Sequence, residues 1–104
     1  MACLAAIFAA QLLLSIVVSG GATLVAFETT SRESNLALIE WVRRYFEAHG
    51  IACTLTFDDE QRKANLFATL PARDGNAATG GIVLSGHTDV VPVDGQPWDT
   101  NPFD

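Results

Sequence analysis

The sequence predicts an α/β fold, and three observations carry that expectation. A helix-period apolar stripe runs from Leu36 to Phe46, two strand-like stretches follow Gly50, and a short apolar run, Ile82–Leu84, is bracketed by Gly81 and Gly86. The order helix, strand, strand, strand belongs to an α/β layer rather than to an all-β sandwich. With 104 residues the chain has room for at most one small domain. One helix on three strands gives it only a marginal core.

The first stretch, 1–21, stands apart from the folded part expected over 22–104. Met1 to Val18 is almost wholly apolar, interrupted only by Gln11 and Ser15, and the first charge is Glu28. That length reaches the lower limit of a membrane span. Leu12–Val18 also suits the apolar centre of a secretory signal, with Ser19, Gly20 and Ala22 as small residues near a cleavage site. No Lys or Arg precedes the run, so neither a signal's basic start nor the positive-inside rule has anything to act on. A signal or membrane anchor, an unusually apolar first helix, and an aberrant start all remain open. Gly20–Gly21 is expected to break the chain, and Ala22–Phe27 is expected to be the tail of a helix or a short strand.

Thr30-Ser31-Arg32-Glu33 matches a capping box, with Thr30 as N-cap and Glu33 reaching back to it. The helix beyond is expected to run to about His49. Leu36, Ile39, Val42 and Phe46 form its apolar stripe, widened by Leu38, Trp41 and Tyr45. Glu40, Arg43, Arg44 and Glu47 fall on the wet side. His49, in the last turn, suits the negative end of the helix dipole, and Gly50 closes the helix.

Ile51, Cys53, Leu55 and Phe57 alternate with Ala52, Thr54 and Thr56, the pattern of a half-buried strand. Asp58–Lys63 is a charged turn whose three acids have no fixed ligand geometry. Ala64–Leu70 is a second strand, antiparallel to the first because the turn is short. The loop Pro71–Gly80 then leads to the expected buried strand Ile82–Leu84.

Charge and cysteines exclude some functions. A net charge of −6 with no Lys/Arg cluster argues against nucleic acid. Cys3 and Cys53 have neither metal-type spacing nor a disulfide framework, and suit small buried hydrophobes.

The chemistry-bearing residues follow Leu84. His87 and Asp89, spaced His-x-Asp, lie on one side of an extended chain. At the carboxyl edge of an α/β sheet, such a pair sits where ligands collect. Either both side chains ligate one metal, or His87 ligates while Asp89 fixes its tautomer.

The longer string Ser85-Gly-His-Thr-Asp-Val-Val-Pro-Val-Asp-Gly-Gln-Pro-Trp98, followed by Asn101-Pro-Phe103, resembles the dinuclear-metal peptidases and deacylases. That family includes acetylornithine deacetylase, succinyl-diaminopimelate desuccinylase and carboxypeptidase G. Leu24–Phe27, Thr29–Asn35 and Lys63–Thr69 are also similar to the acetylornithine deacetylase branch, so the likeness runs from about Ala22 to the last residue.

The resemblance implies the N-terminal part of a zinc-peptidase-like catalytic domain, a mixed sheet flanked by helices. It implies that His87 is a ligand to one of two divalent metals, Zn2+ or Co2+, and that Asp89 enters the catalytic set as the carboxylate orienting His87. It further implies hydrolysis of a small N-acyl amino acid. In the nearest branch this is N2-acetyl-L-ornithine to L-ornithine and acetate, a step of arginine biosynthesis. Full-length relatives are expected to be cytoplasmic homodimers, whereas the apolar residues 1–18 leave membrane or secreted locations open.

The family's bridging aspartate, Glu-Glu pair, further acidic ligand and second histidine are expected beyond this chain, and Asp94, Asp99 and Asp104 match none of them. The polypeptide alone is therefore expected to be inactive. Two alternatives stand beside this: a sibling desuccinylase, dipeptidase or carboxypeptidase, and a non-catalytic membrane-associated remnant.

Overall fold

The structure is a computed structural model and describes residues 20–72 and 80–104. Among the described residues a helix packs on a hairpin. The helix is α1, Leu36–Ala48, and the strands are β1, Cys53–Phe57, and β2, Ala64–Ala68, paired antiparallel in a two-stranded sheet. The register places Cys53 opposite Ala68 and Leu55 opposite Leu66. The chain is α/β in composition, and its sheet is smaller than the sequence suggests.

Leu38, Ile39 and Ala64 form the buried core, with Leu24, Phe27, Leu36, Val42, Leu55 and Leu66 packed around them. The expected stripe on α1 therefore faces the hairpin, centred on Leu38 and Ile39. Phe57 at the end of β1 is exposed, so the predicted alternation holds in part, with Ile51, Cys53 and Leu55 half-buried.

The end of α1 is a Schellman turn. Gly50 adopts φ +74°, its N–H donates to Glu47 O at 2.9 Å, and Ile51 N–H donates to Phe46 O at 3.0 Å. A left-handed residue after the C-cap suits glycine, which has no Cβ to clash. His49 is the C-cap, with Nδ1 against Tyr45 O at 2.7 Å and its ring against the Tyr45 ring.

The helix start corrects the capping-box expectation. The N-cap is Asn35, not Thr30. Thr30 is buried and joined to Val90 in an isolated parallel bridge. Glu33 N–H closes a turn on Thr30 O at 2.7 Å, and helix begins only afterwards. The Asn35 side chain turns away from the helix to pair with Ala64, and Ser34 Oγ accepts the Leu36 N–H at 3.2 Å. The local cap gives way to a long-range pairing in which Val90 bonds the backbone of Thr29 and Ser31, while Thr29 and Thr30 become buried.

The expected break at Gly20–Gly21 concerns a join whose upstream side lies outside the described residues. Residues 20–25 are helical, as expected for the following stretch, and Gly20 is buried against the Trp41 ring, where an added Cβ would stand 2.9 Å from the indole. Apart from these two glycines, the segment read as signal, anchor or aberrant start lies outside the described residues, as does Cys3. Among the described residues no helix is long and apolar enough to cross a membrane.

Ile82–Leu84 does not form the expected buried strand. The three side chains are 73, 82 and 60% exposed, and the segment pairs with neither β1 nor β2. A run that is apolar on both faces needs partner strands at its edges and layers above and below it. A two-stranded hairpin with one helix supplies neither.

The charged turn is structural. Asp58 Oδ1 accepts the N–H groups of Arg62 and Lys63 at 2.7 and 2.9 Å, and the Lys63 N–H bond leads in holding this carboxyl below its ordinary range. Cys53 is half-buried with a free thiol, and burial pushes that thiol up.

Candidate functional site

His87 and Asp89 sit on an extended segment that is tied to the fold by the loop preceding α1. Ser31 N–H donates to Val90 O at 3.1 Å and Val90 N–H donates to Thr29 O at 3.0 Å. The Thr29 hydroxyl donates to Thr88 O at 2.6 Å, and Arg32 pairs with Asp94 at 2.6 Å. Lys63, from the foot of β2, bonds the carbonyl of Ser31. Backbone pairing thus fixes Thr88 to Val90 even though the Ile82–Leu84 run lies free of any sheet.

The structure brings the two predicted site residues together. His87 Nδ1 lies 2.9 Å from Asp89 Oδ1 and 3.1 Å from Asp89 O. Two oxygens on one ring nitrogen make Nδ1 the protonated one, since a bare lone pair facing both would be repelled. The Nε2 lone pair is then directed away from the carboxylate. A contact of this kind between the carboxylate and the ring is what the second arrangement left open by the spacing requires. The ring is 85% exposed, so polar contacts rather than packing set its direction.

Asp89 has a second partner, Ser31, whose hydroxyl donates to Oδ2 at 2.8 Å. The Ser31 hydroxyl, and after it the His87 ring, hold the Asp89 carboxyl below its ordinary range. Sequence reasoning missed Ser31 because the capping box claimed its neighbourhood and 58 residues separate it from Asp89. Thr88, between His87 and Asp89, binds through its carbonyl.

A largely apolar cleft of about 550 Å³ opens beside His87, walled by Leu24, Phe27, Val91, Val93, Trp98 and Phe103. Trp98 is 53% exposed along this cleft. Among the described residues no three His, Cys, Asp or Glu side chains converge as a metal cage. The donor set therefore fits one ligand position and its orienting carboxylate, not a whole coordination sphere, for which zinc takes about four ligands.

Comparison with known proteins relates the chain to one group of deacylases. These relatives are acetylornithine deacetylases. The chain is 38% identical over 79 residues to the acetylornithine deacetylase of Proteus mirabilis (strain HI4320), a stretch that is 75% of this chain and 19% of that enzyme. It is 33% identical over 79 residues to the enzyme of Yersinia pseudotuberculosis serotype O:1b (strain IP 31758), covering 75% of this chain and 20% of the relative. It is 33% identical over 72 residues to that of Pasteurella multocida (strain Pm70), covering 68 and 18%. The chain thus spans about a fifth of the length of the curated relatives it matches. No family model matches the chain, and no solved structure does.

Proposed function

We propose that this chain carries one metal-ligand position of an amidohydrolase that cleaves N2-acetyl-L-ornithine to L-ornithine and acetate. The observation that carries the proposal is the hydrogen bond from His87 Nδ1 to Asp89 Oδ1 at 2.9 Å. It fixes the tautomer in which Nε2 keeps its lone pair and raises the basicity of that nitrogen toward a cation. His87 would hold the metal through Nε2, and Asp89 would hold His87. A bound divalent cation, zinc or cobalt, supplies Lewis acidity toward the amide carbonyl and a water of lowered pKa. Within this chain, Asp89 keeps the imidazole from rotating and from taking up the competing tautomer.

One imidazole does not bind zinc tightly enough for catalysis, so the 104-residue chain with added zinc or cobalt is expected to leave acetylornithine unhydrolysed. The decisive test supplies the remaining ligands. The matched 79-residue stretch replaces its counterpart in the Proteus mirabilis acetylornithine deacetylase. The chimera is expected to hydrolyse acetylornithine in a metal-dependent way. His87→Ala is expected to remove one metal equivalent and reduce kcat by 10²-fold or more, on the order seen when ligand shells are damaged. A folded chimera that is active and keeps its full metal content after His87→Ala would sink the ligand assignment. Hydrolysis of succinylated amino acids or dipeptides by the open frame that contains this stretch, with acetylornithine untouched, would move the substrate to a sibling enzyme.

A further inference from the structure

We propose that Ser31 is a positioning residue for the His87–Asp89 pair: its hydroxyl, donated to Asp89 Oδ2, holds the carboxylate against the imidazole and keeps the ring proton on Nδ1. The significance of this role rests on the reading of His87 as a metal ligand, but its test does not.

A carboxylate turns easily about its last bond, because that torsion is broad and has few preferred angles. Neither partner of the pair is held by packing, since the side chains of His87 and Asp89 are 85 and 55% exposed. A single hydrogen bond between two such groups would leave the carboxylate free to present either oxygen, or neither. The structure engages both oxygens at once: Oδ1 receives His87 Nδ1 at 2.9 Å and Oδ2 receives Ser31 Oγ at 2.8 Å. Two contacts on opposite oxygens define the plane of the group.

Ser31 can serve this way because its own backbone is anchored. Its N–H is bonded to Val90 O, its carbonyl to Lys63, and the neighbouring Thr29 accepts Val90 N–H through its carbonyl. The parallel bridge between Thr30 and Val90 thus carries a rigid donor to a carboxylate one residue before Val90. The hydroxyl has one hydrogen, and the competing acceptor, Val90 O, is more distant at 3.4 Å. A helix-capping role does not compete for the side chain, since α1 begins five residues later.

Tautomer populations test the inference directly, without metal and without turnover. The ¹⁵N-labelled 104-residue chain is observed at a pH high enough that the ring ¹⁵N shifts no longer change with pH, with long-range ¹H–¹⁵N correlations reporting which ring nitrogen carries the proton. His87 is expected to be mainly Nδ1–H. Ser31→Ala is expected to shift its population toward the Nε2–H form favoured in water by about threefold or more, the scale of a weak exposed hydrogen bond. Ser31→Thr, which restores the hydroxyl, is expected to restore the population.

His49 is the internal control, since its Nδ1 faces Tyr45 O at the far end of α1 and should not respond. If Ser31→Ala disrupts the fold, His49 changes as well. Ser31→Cys, near in size but a weak donor, then provides the same comparison. An unchanged His87 tautomer in both Ala and Cys variants overturns the role of Ser31 while leaving the ligand assignment standing. An inactive chimera would leave the tautomer result intact.

Discussion

Asn35 joins the helix to the sheet through one side chain. Its amide donates to Ala64 O at 2.9 Å and its carbonyl accepts Ala64 N–H at 2.9 Å, a two-point clamp on the first residue of β2. Ala64 is buried, so its backbone groups have little access to water once Asn35 is removed. An orphaned buried backbone group costs about 1–3 kcal/mol. Asn35→Ala is therefore expected to destabilise the chain by about 2 kcal/mol or more in urea unfolding. Asn35→Asp keeps the acceptor, loses the donor and sets a negative charge against the Ala64 carbonyl, so it should destabilise as well. An alanine variant as stable as the parent would mean that the clamp does not form. The same scale explains the site. His87 and Asp89 are two residues apart, and extended geometry alone places them together, so that pair was legible in the sequence. Ser31 was not, because a contact across 58 residues leaves no local pattern.

At the scale of elements, α1 combines a core-facing stripe with an ionic face that runs along its outer side. Arg43 bonds Glu40 at 2.7 Å and Glu47 at 2.9 Å, and Arg44 bonds Glu40 at 2.8 Å, spacings that bring side chains together on a helix. Hydrogen bonds from Arg43, and then from Arg44, lower the Glu40 carboxyl from its ordinary 4.5 to about 2. A folded-state value below the unfolded one means that the contribution is fully present above about pH 4.5 and is lost as the pH falls toward about 2. Helix content by circular dichroism is expected to fall across that window, and Glu40→Gln is expected to flatten the fall. An acid limb identical in the two proteins would assign it to other carboxylates. Helix α1, its Gly50 ending and the β1–β2 hairpin were legible because each is written in neighbouring residues: a 3.6-residue stripe, a left-handed glycine, an alternation with a short turn. The start of α1 was misread because Thr30-Ser31-Arg32-Glu33 satisfies a local rule while Thr30 is drawn into a bridge with Val90. Sequence patterns report local preference, and here a non-local pairing prevails.

For the molecule as a whole, the balance between buried and exposed apolar groups matters more than any single contact. Among the described residues three hydrophobic residues are buried, whereas Ile82, Val83 and Leu84 stand open to water along with Val91 and Phe67. The third strand was expected from this very run, and its composition does suit a strand covered on both faces. What the sequence could not convey is whether a covering layer exists, because burial is a property of partners and not of the run itself. An apolar, β-prone, uncharged segment left uncovered is a site of association between chains. Val83, the most exposed of the three at 82%, makes this testable. Val83→Lys places a charge in the centre of the run without removing any core contact. It is expected to lower concentration-dependent association in light scattering while leaving the thermal midpoint within about 1 °C, since exposed substitutions stay within about 0.5 kcal/mol. A clear fall in the midpoint would mean that the run is packed in solution, and that the sheet extends beyond the hairpin. Unchanged association would place the adhesive surface elsewhere, with the cleft beside His87 the next apolar surface to alter.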